Sequence, residues 1–500
     1  MTGPVTGPNR LLVAGGRVGG LPCDLRLDGG RIVEVAPGLA RRPGEPVLDA
    51  AGRPVLPGLH DHHLHLRALA AAAGSVTAGP PAITDRAALA EALRGAAARL
   101  SGGAAARLSG GGGWVRAVGY HESVAGHLDR DALDRMLPGV PVRVQHRSGS
   151  LWVVNSAGAD RLGLAAVRLP GVERDAADRP TGRLYRMDRW LGEQLGPAPV
   201  DLAATSARLA SLGVTGVTDA TPAATAPGIA ALVDDVDAGR LVQRLHLMCP
   251  PDVVGWGHPL VTRGPCKVLL DDRSLPSPDE LAGTVADCHR AGVPVAVHCV
   301  TAVQLVVAVA AFDAARSTAP SPPGGGPPVA GDRIEHASVV PPALLPAIRR
   351  LGLTVVTNPS FVAERGDAYL SEVDPVDRPD LYRCRSLLHA GVPVAAGTDA
   401  PFADPDPQQA VDAAVTRRTR SGRLLGPAEA VDRPVALALF GGHPGSPATP
   451  RRLRPGEPAD LCIPDPADPA DPDGPWRAMA ATVVAGRVVH RLDGVLLEGT

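Results

Sequence analysis

The run Val55-Leu56-Pro57-Gly58-Leu59-His60-Asp61-His62-His63-Leu64-His65 is apolar at its start and crowded with imidazoles at its end. An apolar stretch of this length reads as a core strand, over Val55–His60, with a polar exit. On extended chain alternate side chains share a face, so His63 and His65 point together with Asp61, and His60 and His62 point the other way. A histidine-rich surface turn is the other reading, and the buried apolar lead-in argues against it.

Four further segments carry the same signature. Lys267 closes Gly264-Pro265-Cys266-Lys267, His298 ends Val295-Ala296-Val297-His298, His336 ends Arg333-Ile334-Glu335-His336, and Asp399 ends Ala396-Gly397-Thr398-Asp399. Imidazoles, one lysine and one carboxylate, each at the end of a different strand, are how a (β/α)8 barrel assembles a metal site. Predicted core strands are Val55–His60, Val214–Asp219, Arg244–Met248, Cys266–Leu270, Val293–His298, Asp332–His336, Leu353–Thr357 and Val392–Thr398, the eight that a closed barrel requires. Ser277-Pro278-Asp279-Glu280 predicts a capped helix start between two of them. The fold expected is therefore α/β, a TIM-type barrel.

Five hundred residues exceed one barrel of roughly 250, so further parts are expected. Short alternating runs at Leu11–Val13, Cys23–Leu27 and Arg31–Val35, and again at Ala459–Ile463, Ala481–Val484 and Arg487–His490, predict one small β-sandwich domain built from both termini, residues 1–57 and 446–500. The barrel then occupies 58–445. It is interrupted after its first strand by an inserted subdomain at about 70–200 with strand-like runs at Trp114–Tyr120, Pro141–His146 and Leu151–Val154. An octapeptide at 96–103 recurs at 104–111 as a tandem duplication, to which no function is assigned.

A net charge of −2 with scattered arginine gives no electrostatic footprint for nucleic acid or an anionic membrane, so the partner expected is a small-molecule substrate. No stretch reaches the ~20 apolar residues of a membrane span, and the amino terminus lacks a signal-peptide pattern. Seven cysteines, odd in number and mostly in apolar runs, read as reduced thiols of a cytoplasmic protein. A homo-oligomer is compatible with all of this.

Lys267 is the unusual member, because a protonated amine repels a cation. Buried beside a divalent metal its pKa falls, and the neutral amine can add carbon dioxide to give a carbamate able to bridge two ions. The alternative is a lysine paired with Asp271 or Asp272. Asp399 is placed to take a proton from attacking water and pass it to a leaving nitrogen.

In order and spacing these residues resemble the amidohydrolase superfamily. The resemblance extends to Leu48-Asp49-Ala50-Ala51-Gly52 and Pro455-Gly456-Glu457-Pro458-Ala459-Asp460-Leu461 and covers almost the whole chain. The insertion, with Gly119-Tyr120-His121-Glu122 and His146 through Ser156, is similar to the branch that includes N-substituted formamide deformylase. The resemblance implies that His63, His65 and Asp399 hold one metal, that His298 and His336 hold the other, and that carboxylated Lys267 bridges two zinc ions, although the ligand types suit several divalent metals. Three departures from the branch bear on substrate: Thr301-Ala302 in place of Gly-Asp, Ser150 in place of a histidine, and Asp272 in place of a glycine.

The reaction expected is hydrolysis of a non-peptide carbon–nitrogen bond, an amide or an N-acyl or N-formyl amine, by a metal-bridging hydroxide. Tyr120, His121, His146, Arg147 and Trp152 of the insertion are the expected substrate contacts. The alternatives are a one-metal deaminase of a ring amidine, against which Lys267 argues, and a degenerate member that binds without turnover.

Overall fold

The structure, a computed structural model, describes residues 10–101, 113–196, 200–222, 224–253, 257–318, 329–468, 470–471 and 474–499. The second copy of the octapeptide lies outside the described residues. The chain divides into two compact units, Met1–Leu66 with Ala203–Thr500, and Arg67–Leu202.

The first unit contains two parallel sheets. In one, β1 (Leu59–Leu64), β2 (Val214–Asp219), β3 (Arg244–Leu247) and β4 (Val261–Arg263) are neighbours in that order; in the other, β5 (Cys266–Leu269), β6 (Val295–Cys299), β7 (Arg333–His336), β8 (Thr354–Thr357) and β9 (Val394–Ala396) follow one another. Backbone hydrogen bonds cross both gaps between the sheets. Gly264 N donates to Leu247 O at 2.8 Å and Cys249 N to Pro265 O at 3.2 Å on one side, and Asp399 N donates to His63 O at 2.7 Å on the other. Strands β4 and β5 are separated only by Gly264-Pro265, the first pairing with β3 and the second with β6, so they are successive halves of one strand, of which the sequence predicts only the part from Cys266.

The first strand also begins later than expected. Leu56–Pro57 pairs antiparallel with Leu461–Cys462, and the parallel strand starts at Leu59. Gly58 sits at the switch, where an added Cβ would lie 2.2 Å from Thr215 Cγ2, so any side chain there would push the two strands apart. Further along, Val217 faces Asp61 but Asp219 faces Leu64, two steps on β2 against three on β1. That bulge breaks the strict alternation on which the facing of His60 and His62 was predicted. The His60 ring bonds to Thr218 Oγ1 at 2.9 Å, and the His62 ring lies 4.6 Å from it, both fully buried.

Helices cover the outer face of the second sheet. The Pro278–Arg290 helix has the predicted capping box, Ser277 and Glu280 bonding reciprocally. Its Leu281 and Val285, with Leu305 and Phe312 of the helix Ala302–Thr318, share a core with Val295, Val297, Ile334 and Val355. Each such buried side chain contributes roughly 1.5–3 kcal/mol.

Both ends of the chain meet in two sheets, the first mixed, because 11–18 and 47–49 run parallel, and the second antiparallel. One joins 497–498, 47–49, 11–18, 21–28 and 31–36; the other joins 487–491, 476–484, 461–466 and 56–57. Leu25, Leu27, Ile32 and Leu48 pack there with Leu461, Ile463 and Val483. The second unit is a six-stranded mixed sheet in the order 172–174, 180–185, 151–154, 142–146, 115–120 and 76–77, with helices Arg86–Ser101 and Arg130–Met136 contributing to its core.

Candidate metal centre

Strand ends bring the ligand-type side chains of the first unit together. His63, His65 and Asp399 have ligand atoms all within 4.8 Å of one another. The His336 ring lies 4.6 Å from those of His63 and His298, and its Nδ1 is 3.9 Å from Asp399 Oδ2. Lys267 completes the group from β5, where it sits opposite Ala296 of β6.

Period alone would not bring His336 inward. Ile334 of β7 faces the helices, and His336, two residues on, would follow it. A φ of +67° at His336 turns the chain at the end of β7 and re-aims its side chain, and a φ of +60° at Asp399 turns the chain just after β9. Left-handed backbone at non-glycine residues costs of order 1–3 kcal/mol each and concentrates where function requires it. Gly397 lets the end of β9 close on β1, since a Cβ there would lie 2.5 Å from His63 N. The seam is locked by Asp61, whose Oδ1 accepts from Thr398 N at 3.0 Å and His63 N at 3.1 Å. Burial pushes the Asp61 carboxyl up to about 7 against those donors. It serves the joint and is not one of the close-set ligand atoms.

Three buried atoms in the group have no hydrogen-bond partner: His63 Nε2, Lys267 Nζ and Asp399 Oδ1. Asp399 Oδ1 lies 3.2 Å from His65 Nε2 and 3.6 Å from His63 Nε2 without hydrogen-bond alignment. Burial pulls the Lys267 amine down to about 8, with Glu335 and Asp399 opposing. Burial would raise the Asp399 carboxyl, but the imidazoles of His336, His65 and His63 outweigh it and hold it below its ordinary value. Burial also lowers His63, His298 and His336, so the imidazoles are neutral donors. Neutral imidazoles, an ionised carboxylate and a depressed lysine, with His63 Nε2, Asp399 Oδ1 and Lys267 Nζ lacking partners, suit a divalent cation.

Residues not singled out from sequence complete the surroundings. Glu335 accepts from His63 Nδ1 and from Arg333, and Asn358 Oδ1 lies 2.8 Å from His336 Nδ1 while its Nδ2 donates to Gly397 O at 2.7 Å. Phe402 packs edge-on against His65, ring centroids 5.5 Å apart. A charged residue inside the buried β7 was the available signal for Glu335; nothing in the sequence marks Asn358. Asp272 does not reach Lys267. It accepts instead from Thr301 Oγ1 at 3.1 Å and Gln304 Nε2 at 2.8 Å, so two of the three departures from the family pattern touch each other.

In the second unit Tyr120 and Trp152 are 2% and 5% exposed and pack into that unit's own cores. Tyr120 donates to Gly126 O, and Trp152 donates to Asp188 between the guanidinium groups of Arg116 and Arg143. His146 Nε2 lies 3.0 Å from Glu122, and its Nδ1 joins Ser148 and Ser150, the third departure, in a chain of 2.7 and 2.8 Å contacts. His121 lies beside it, ring centroids 6.2 Å apart, and Arg147 N donates to Tyr120 O at 2.8 Å.

The model of the family described as "Amidohydrolase family" matches residues 46–490. The chain belongs to this family. It is thus an amidohydrolase, a metal-dependent hydrolase acting on carbon–nitrogen bonds other than peptide bonds. N-substituted formamide deformylase of Arthrobacter pascens is 24% identical over 487 residues, 86% of this chain and 84% of that one. Two solved structures, each an uncharacterized metal-dependent hydrolase, share the fold of this amidohydrolase. That from Pyrococcus furiosus superposes with a TM-score of 0.66 at 20% identity over 92% of this chain and 100% of its own. That from Pyrococcus horikoshii OT3 gives 0.68 at 18% identity over 91% and 98%. Among the described residues no helix is long and apolar enough to cross a membrane, and all seven cysteines are free.

Proposed function

We propose that this amidohydrolase cleaves an apolar or aromatic N-acyl or N-formyl amine, or a cyclic amide, at a two-metal centre. The observation that carries the reading is the buried set of unpartnered atoms, His63 Nε2, Lys267 Nζ and Asp399 Oδ1, among neutral imidazoles. His63, His65 and Asp399 would hold one ion, His298 and His336 the other, and Lys267, carboxylated, would bridge. Zinc suits these donors. Bound there, divalent ions supply Lewis acidity that makes water nucleophilic near neutral pH and polarises the scissile carbonyl.

The chain's own residues do the rest. The Asp399 carboxylate, ionised in its imidazole setting, accepts the proton of the attacking water and delivers it to the leaving nitrogen. The imidazoles of His63, His298 and His336, kept neutral by burial, orient rather than protonate. The Phe402 ring beside His65 gives the substrate an apolar wall, and a pocket with apolar walls and few polar fixings favours a neutral amide. Tyr120 and Trp152 are committed to the cores of their own unit.

The two parallel sheets are read here as one (β/α)8 barrel over 58–445 and the terminal sheets as a β-sandwich of 1–57 and 446–500, with the insertion at about 70–200. The free cysteines support a cytoplasmic enzyme. The name of the Arthrobacter relative supports the N-formyl class.

A one-metal centre doing deaminase chemistry is the second reading. It is favoured by one observation: among the described residues only His63, His65 and Asp399 bring their ligand atoms within 4.8 Å. A turnover screen of N-formyl, N-acetyl and cyclic amides against ring amidines, phosphoesters and dipeptides, with zinc-loaded protein, separates the readings. Turnover led by neutral amides is expected; phosphoesters or dipeptides outrunning every amide in kcat/KM would sink the proposal.

A further inference from the structure

We infer that Glu335, clamped by Arg333, is a positioning residue that fixes the tautomer and aim of the metal ligand His63. The inference rests on the metal reading of the site. Glu335 is 0% exposed and lies between Ile334 in the helix-facing core and His336 in the ligand group. An unpaired carboxylate there would be strongly unfavourable, so its partners explain its presence. Arg333, 1% exposed, donates through Nε to Oε1 and through Nη2 to Oε2 at 3.1 Å, while Nη2 also donates to His62 O at 2.6 Å. The guanidinium is thereby tied to both β7 and β1. The remaining direction from Oε2 runs to His63 Nδ1.

An ionised carboxylate only accepts, so the proton of the neutral His63 ring must sit on Nδ1. Its lone pair is then on Nε2, the atom that has no partner and lies 3.6 Å from Asp399 Oδ1. A carboxylate behind an imidazole fixes ring orientation and raises the basicity of the opposite nitrogen. His336 is held by comparison through a neutral amide, Asn358. Two ligands are therefore anchored from behind by groups of different charge, and the ion on His63 is expected to be the one whose affinity Glu335 governs.

The test is zinc titration of apo-protein against a chromophoric chelator, for wild type, Glu335→Gln and Glu335→Asp. The cobalt-loaded visible spectrum, a report of ligand geometry, and circular dichroism are recorded for each. Glu335→Gln is expected to fold, to bind one ion about 10–100-fold more weakly while the other is unchanged, and to alter the cobalt bands. Glu335→Asp, which keeps the charge, should fall between. A folded Glu335→Gln protein with wild-type affinity and spectrum overturns the inference, as does loss of fold in both variants, which would make the pair purely structural. If wild-type protein itself binds no ion, it is the metal reading that has failed, a result distinguishable from the other two.

Discussion

Two buried Arg–Glu pairs in the first unit differ in what surrounds them. Arg383 donates to Glu429 at 2.6 Å, and the same carboxylate receives Ser386 N at 2.9 Å, Cys384 N at 3.2 Å and the Ser386 hydroxyl, while Arg383 Nε bonds to Val340 O. None of the side-chain atoms of either residue is left buried without a partner. Arg333–Glu335 is equally buried, yet it is in line with His63, whose far nitrogen is unbonded, in a group that also holds unpartnered Lys267 Nζ and Asp399 Oδ1. A closed polar network rigidifies a fold; an incomplete one in a dry interior demands a partner. That contrast locates the chemistry more surely than burial or charge does.

The contrast can be broken most forcefully at the ligands. Replacing His63 and His65 together with Asn should remove metal and abolish turnover, read by elemental analysis and kcat, because the open network loses its cation. Next in size, Asp399→Asn should keep most of the metal and lower kcat by about 10²–10⁴-fold, the range for a lost general acid–base group; near-native kcat would reduce Asp399 to a structural role. On the closed side, Glu429→Ala should cost about 1–3 kcal/mol by removing one partner of Arg383, which keeps Asp380, and by leaving Cys384 N and Ser386 N unbonded, seen as a lower Tm, with unchanged metal stoichiometry. The smallest effect is expected at Asp272. Its exposed carboxylate joins Thr301 and Gln304, so Asp272→Ala should cost about 1 kcal/mol or less and leave metal content alone.

The sequence made the ligand set legible because each member ends a strand-like run, and the strands predicted from Val214, Arg244, Cys266 and Asp332 fall where parallel strands occur. The rest depended on partners far away in the chain. The start of the first strand is set by Gly58 against Thr215, and the facing of His60 and His62 by a bulge that appears only in register with β2. His336 reaches the centre through left-handed backbone that no period encodes. Glu335 meets a histidine 272 residues before it. Asp272 and Thr301, read one at a time as departures from a family pattern, prove to be partners.

Anomalous X-ray scattering at the zinc edge, on crystals grown with zinc, tests the claim that the open network is a metal centre most directly. Two peaks are expected, both among His63 Nε2, His65, Lys267, His298, His336 and Asp399, with added density on Lys267 Nζ for a carbamate. A single peak on His63, His65 and Asp399 with a bare lysine would favour the one-metal reading. Anomalous density elsewhere and none at this cluster would contradict the account.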